Sequence, residues 1–166
     1  YIRGLGNTDF DLNASQPVSL VYDDIVQENP LLKGFPMFDL DSVEMLRGPQ
    51  GTLFGRNTPA GVLKFQSRRP TQETEGYAQV SYGALGNANF EGAYGGGLND
   101  AWSMRASALY QRRDDWVDNT QTSGDDELEG YKEFAARVQV LYAPSDDTEA
   151  LFNIHARSLD GTARLF

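Results

Sequence analysis

Apolar and polar positions follow two different rhythms along this chain. From residue 76 to residue 158 they alternate strictly, the period of two that places successive side chains on opposite faces of a β-strand. Five runs of about ten residues carry the pattern. Ala78, Val80, Tyr82 and Ala84 oppose Gln79, Ser81 and Gly83, and Phe90, Tyr94 and Leu98 follow on one face with glycines between. Trp102, Met104, Ala106, Ala108 and Tyr110 oppose Ser103, Arg105, Ser107 and Gln111. Phe134, Ala136, Val138, Val140 and Tyr142 oppose Glu133, Arg137 and Gln139, and Ala150, Phe152, Ile154 and Ala156 oppose Asn153, His155 and Arg157.

The connections sort these strands into an order. Gly86-Asn87, 98–101 and 144–147 are tight, whereas 114–130 is long. Aromatics gather near strand ends: Tyr77, Trp102, Tyr110, Trp116, Tyr131 and Tyr142. Long strands, aromatic ends and short turns on one side describe a transmembrane β-barrel wall. One sheet of a soluble antiparallel sandwich would alternate in the same way. Two features favour lipid. The apolar faces are rich in Ala and Gly, which fill a sandwich core poorly. The opposite faces carry Arg105, Glu133, Arg137 and Arg157, which suit a polar lumen. Five strands do not close a cylinder, and an open edge in lipid leaves backbone groups unpaired at several kcal/mol each. The wall therefore calls for more strands, and the chain reads as an internal piece of something longer.

Residues 1–70 are irregular. Residues 17–22 form a short strand ending in the turn pair Asp23-Asp24, and Ile25-Val26 restarts it across a hairpin. Asn29-Pro30 and Gly34-Phe35-Pro36 punctuate a loop. The stretch 39–46 fits one helical turn, capped by Asp41 or Ser42, running into a strand. A tight turn at 47–51 and a strand at 61–65 follow. Leu46, Leu53, Phe54, Val62, Leu63 and Phe65 are the expected small core.

Composition narrows the chemistry. The chain has 166 residues, no Cys and one His, so disulfides, thiolate metal sites and a His-rich metal centre are excluded. No run of 18 apolar residues exists, which excludes a transmembrane helix and says nothing of strands. The net charge of −10 argues against nucleic acid as a partner. That charge is local: seven acids and no base lie between Asp114 and Gly130, while 44–70 is basic. The acidic run reads as a solvated loop. Asp114-Asp115 and Asp125-Asp126 are weaker candidates for a cation. His155 has no Ser or Cys partner that would make it catalytic.

The motif that decides between the readings lies at 42–70, SVEMLRGPQGTLFGRNTPAGVLKFQSRRP. Gly48, Gly51, Gly55 and Gly61 permit turns or close backbone approach, and Pro49 stiffens one bend. Arg47 and Arg56 offer forked donors for carboxylates. This stretch closely resembles the plug-domain signature of TonB-dependent outer-membrane receptors. YIRGLG at 1–6 and VSLVYDDIV at 18–26 resemble two further plug motifs. The departure is VLKFQS at 62–67, where relatives carry a more apolar strand.

The resemblance implies an α+β plug domain followed by antiparallel strands of a transmembrane β-barrel of about 22 strands. Residues 1–72 would be the C-terminal part of the plug and 73–166 the first five or so barrel strands. It implies a receptor of the bacterial cell outer membrane that is not an enzyme and has no cofactor or resident metal. The receptor would import a scarce nutrient, foremost a ferric siderophore or other iron complex, powered by TonB and its inner-membrane energising complex. Saccharide or cobalamin uptake, a non-transport barrel and a soluble β-rich binding domain are the alternatives. Arg3 and Arg47 match the arginines that the family sets against acidic residues of the barrel wall. Gly48, Pro49, Gly51, Gly55, Arg56, Asn57 and Gly61 form the signature turns. By position, Asn7, Asp9, Gln27, Asn29 and Phe35 are candidate ligand contacts. Strand 76–85 would rise outward, placing 114–130 outside and the turns at 99–100 and 145–146 in the periplasm.

Overall fold

The structure is a computed structural model that describes residues 2, 17–27, 29, 34–55, 58–118 and 127–162. It divides into two units, Tyr1–Arg68 and Arg69–Phe166.

Among its described residues the first unit has four strands, β1 (Val18–Tyr22), β2 (Ile25–Gln27), β3 (Leu40–Arg47) and β4 (Gly61–Ser67), and one short helix, α1 (Gly51–Phe54). The sheet order is β2-β1-β4-β3. β1 and β4 run parallel, from Val18 opposite Gly61 to Tyr22 opposite Phe65, and the other pairs are antiparallel. Asp23 and Asp24 both adopt positive φ, 47° and 65°. That geometry suits a two-residue hairpin, and short acidic side chains tolerate it. The Asp23 carboxylate also accepts hydrogen bonds from the Ser67 amide and hydroxyl, both at 2.7 Å, and Lys64 meets Asp24 at 2.8 Å. The turn is thus fastened to the central strand β4. Val21 and Val62 are wholly buried, with Val18, Tyr22, Phe38 and Ala60 close to that state.

Two expectations fail here. Residues 39–46 contain no helical turn: Asp39 sits at φ 49° and the strand begins at Leu40. Cross-strand partners on β4 decide this, Val43 opposite Phe65 and Glu44 opposite Lys64. Leu53 is not core but exposed on α1.

The second unit is an up-and-down antiparallel sheet of β5 (Glu75–Tyr82), β6 (Ala88–Asn99), β7 (Trp102–Arg113), β10 (Tyr131–Ser145) and β11 (Thr148–Gly161), in the order β11-β10-β7-β6-β5. A ribbon of two short strands, β8 (Val117–Asp118) and β9 (Glu127–Leu128), rises within the long connection, where the sequence showed only a solvated loop. At the opposite end Asn99 Oδ1 accepts the Ala101 and Trp102 amides at 3.0 Å, closing that turn.

Its two faces are inverted relative to a soluble sheet. Ser103, Arg105, Ser107, Glu133, Arg137 and Gln139 are buried. Val80, Phe90, Tyr94, Met104, Val138, Phe152 and Ile154 are exposed, Val80 by 76% and Ile154 by 72%. The register makes the exposed face a layered band. Phe90, Tyr110 and Phe134 lie side by side at one level, and Trp102 pairs with Tyr142 at another, their rings 4.5 Å apart. Trp102 and Tyr110 are eight positions apart, about 26 Å along a strand. A barrel tilt of about 40° reduces this to a height of about 20 Å, the scale of a membrane barrel's apolar band. Arg112 and Lys132, opposite one another, end the band on the side of the long loop.

Candidate functional site

Two groups of residues carry the candidate chemistry, one in each unit. In the first unit, Arg47 ends β3, exposed, and no ion pair holds it among the described residues. Gly48 then adopts φ 90°, outside the range comfortable for other residues. Its amide donates to Ala60 O at 3.1 Å and that of Gln50 to Thr58 O at 3.3 Å, so the segment returns on itself around α1. Gly55 leaves the helix at φ 84°, and the Thr58 hydroxyl donates to its carbonyl at 2.9 Å. A Cβ on Gly61 would stand 2.3 Å from Leu46 O, so only glycine fits there. Gly48, Pro49, Gly51, Gly55 and Gly61 therefore belong to one closed turn. Gln27 is half-buried at the end of β2, Asn29 is exposed and Phe35 half-buried. Arg3, Asn7, Asp9, Arg56 and Asn57 lie outside the described residues.

In the second unit the buried polar face is a network of ions. Arg105, 2% exposed, places Nη1 2.8 Å from Glu75 Oε1, two strands away. Gly95 stands between them in register, opposite both Glu75 and Arg105. A Cβ at Gly95 would lie 2.6 Å from Met104 O and 3.1 Å from the Arg105 Cβ. The glycine is the opening through which Arg105 reaches its partner. Further along, Arg157 Nε donates to Glu133 Oε1 at 2.6 Å, and the Tyr77 hydroxyl donates to Glu91 Oε1 at 2.5 Å. Arg137, 1% exposed, has Ser107 on one side in register and His155 on the other. A guanidinium withdrawn this far from water is tolerable only with polar partners, so the wall has a fixed pattern of charge. Among the described residues no cluster of His, Asp and Glu is arranged to hold a metal ion.

A third arrangement was not legible in the sequence. Beyond the end of β7, Asp115 Oδ1 accepts the Gly130 amide at 2.8 Å and the Thr162 hydroxyl at 2.7 Å. These bonds, the hydroxyl's foremost, hold the Asp115 carboxyl below its usual pKa. Asp114 pairs with Arg112 at 2.6 Å. Both acids thus have partners within the protein itself.

The run Gly95-Gly96-Gly97 inside a strand was the one signal of the Arg105 opening in the sequence. The Asp23–Ser67 and Asp115–Thr162 bonds join residues 44 and 47 positions apart and leave no local pattern.

Several known proteins resemble this chain. Residues 1–62 match the model of the TonB-dependent Receptor Plug Domain. The pesticin receptor of Yersinia pestis is 28% identical over 108 residues, which cover 65% of this chain and 16% of that protein. The crystal structure of the ferric yersiniabactin uptake receptor FyuA from Yersinia pestis superposes with a TM-score of 0.80 at 25% identity, over 87% of this chain and 23% of that one. The pyoverdine outer membrane receptor FpvA from Pseudomonas aeruginosa PAO1 shares the fold with a TM-score of 0.67 at 21% identity, over 85% and 20% of the two chains. The chain thus spans about a sixth of the curated relative and under a quarter of the solved ones.

Proposed function

We propose that this chain is the plug domain and first barrel strands of a TonB-dependent receptor, and that the receptor imports an iron complex across the bacterial outer membrane. A ferric siderophore is the cargo class, since the proteins it resembles are receptors for yersiniabactin and pyoverdine. The observation that carries the reading is the inverted sheet. A wall that exposes Val80, Phe90, Val138 and Ile154 and withdraws Arg105, Arg137 and Gln139 is stable where lipid lies outside and a polar lumen inside. Among the described residues β5 and β11 are the edges of the sheet, and further strands of a barrel would cover them.

In this reading residues 1–72 are plug and 73–166 wall. The plug gates the lumen, and TonB with its energising complex supplies the work. No bond of the cargo is made or broken. Arg47, exposed and without an ion pair among the described residues, is the plug's donor to an acidic group of the barrel, with Arg3 in the same role. The described wall acids Glu75, Glu91 and Glu133 already have partners, which supports placing the acceptor for Arg47 on later strands. Asn7, Asp9, Gln27, Asn29 and Phe35 are, by their position in the sequence, the candidate ligand contacts. The long connection 114–130 faces outward and the turns at 99–100 and 145–146 face the periplasm, which gives the barrel its usual long outer and short inner loops.

The test is uptake of radiolabelled ferric siderophores, with haem and cobalamin as comparisons, by cells lacking the receptor gene and by cells lacking TonB. Loss of uptake of at least one ferric siderophore in both strains is expected. Undiminished uptake of every ferric siderophore, with loss of cobalamin alone, would replace the cargo assignment.

A further inference from the structure

The geometry points to a three-way knot, formed by Asp115, Gly130 and Thr162, that makes the base of the long loop and the far end of β11 move as one body. The inference rests on the orientation given above, in which this end of the sheet faces the medium, and it adds a mechanical property to the loop that first meets cargo.

Three limbs of chain meet at the knot. Asp115 lies just past the end of β7, Gly130 just before β10, and Thr162 just past β11. The hydroxyl of Thr162 has one proton. At 2.7 Å from Asp115 Oδ1, against 3.3 Å from Gly130 O, that proton goes to the carboxylate. The hydroxyl oxygen is then free to accept, and the Gly130 amide lies 3.1 Å from it while also donating to Asp115 Oδ1 at 2.8 Å. The Thr162 amide donates in turn to Gly130 O at 3.1 Å. Each limb is thus bonded to both others.

Steric fit agrees. A Cβ on Gly130 would lie 2.5 Å from Asp115 Oδ1 and 2.8 Å from the Asp115 backbone nitrogen, so the limbs approach this closely only at a glycine. The carboxylate is ionised, and hydrogen bonds to a charged acceptor are about twice as strong as neutral ones. Above the knot the ribbon begins at once, with the Trp116 amide donating to Leu128 O at 3.1 Å. Below it, Arg113 Nη2 donates to Glu129 O at 2.6 Å, and its guanidinium lies 5.3 Å from the centre of the Tyr131 ring. The base of the loop is therefore a bonded platform and not a hinge. Displacement of the ribbon by a captured ligand is passed to the end of β11.

Hydrogen exchange on the full receptor tests this at amides that the altered residue does not itself touch. In Thr162→Val the reporter is the Trp116 amide, bonded to Leu128. In Asp115→Ala it is the Thr162 amide, bonded to Gly130. Each should exchange about tenfold faster, the scale set by loss of one charge-assisted hydrogen bond. The double variant should add little to either single one, and Thr162→Ser, which keeps the hydroxyl, should match the unaltered receptor. Unchanged protection inside β10 shows that each variant is folded. Acceleration confined to the Gly130 amide, or effects of the two substitutions that multiply, would overturn the coupling. The uptake assay on the unaltered receptor reports separately on the transport reading, so the two can fail independently.

Discussion

The two units use one strand alphabet with opposite polarity. In the first, Val21 and Val62 are hidden while Asp24 and Lys64 meet at the surface. In the second, Arg105 and Arg137 are hidden while Val80 and Ile154 are bare. Alternation states only that a strand has two different faces. Which face is withdrawn depends on what lies on each side, and the side-chain inventory records that. The hidden hydrophobic side chains of the first unit are aliphatic and aromatic, and Ile2, Val18, Ala60 and Leu63 pack into one cluster. The bare face of the second combines Gly and Ala with rows of aromatics, poor material for a protein core and suitable against hydrocarbon chains.

The contrast can be broken from either side. Phe38→Ala empties a buried site in the first unit and should cost about 3–5 kcal/mol of that unit's stability. Denaturant melting of the full receptor should show the loss in the plug transition and leave the wall unchanged. Val138→Arg, midway between the two aromatic rows, should cost about 2–4 kcal/mol of folding into a bilayer. A soluble sheet face as exposed as this one would accept arginine at almost no cost, so a neutral result in bilayer refolding would erase the distinction.

The hidden ions offer a finer probe. Replacing Glu75 by Gln removes the carboxylate charge that stands 2.8 Å from the withdrawn Arg105 guanidinium. The cost should be about 1–2 kcal/mol, below that of a fully buried pair because Glu75 itself is partly exposed. A double-mutant cycle with Arg105→Lys should show coupling between the two sites, and strictly additive effects would mean that the pair contributes nothing. The smallest effect concerns the rim. Asp115 has a pKa below its ordinary value because of the Thr162 and Gly130 donors. Its contribution is therefore complete above the unfolded carboxylate value of about 3.9 and is lost as pH falls through the lower folded value. Protection of the Gly130 amide, corrected for intrinsic exchange, should stay level from neutral pH down to about pH 4 and decline only below that. A decline already evident near pH 6 would assign the control to another group.

The wall was the most legible part of the molecule, and for a local reason. β7 and β10 repeat their polarity over many residues, as in Trp102 to Tyr110, so there pattern alone placed the residues on the faces that burial distinguishes. The stretch 39–46 was less legible because Val43, Met45 and Leu46 satisfy a helical turn as well as a strand. Pairing with β4, distant in sequence, made the choice. Leu53 misled because α1 is only four residues long and buries none of them. The ribbon in the long loop is held by two register pairs, Val117 with Leu128 and Asp118 with Glu127, too few to leave a period. Of the site, the glycines were legible as backbone necessities. The bonds of Asp23, Arg105 and Asp115 were not, since each depends on a partner brought close only by the completed fold.

The central claim is that the bare face of the second sheet touches lipid and the hidden face does not. The chain contains no cysteine, so single spin labels can be introduced into it one at a time. Labels at Met104, Val138 and Ile154 of the full receptor in bilayers should collide readily with oxygen and poorly with a water-soluble nickel chelate, and labels at Ser107 and Gln139 should show the reverse preference or little access to either. Equal access to the nickel chelate on both faces, or labels at Val138 and Ile154 shielded from both reagents, would contradict the account.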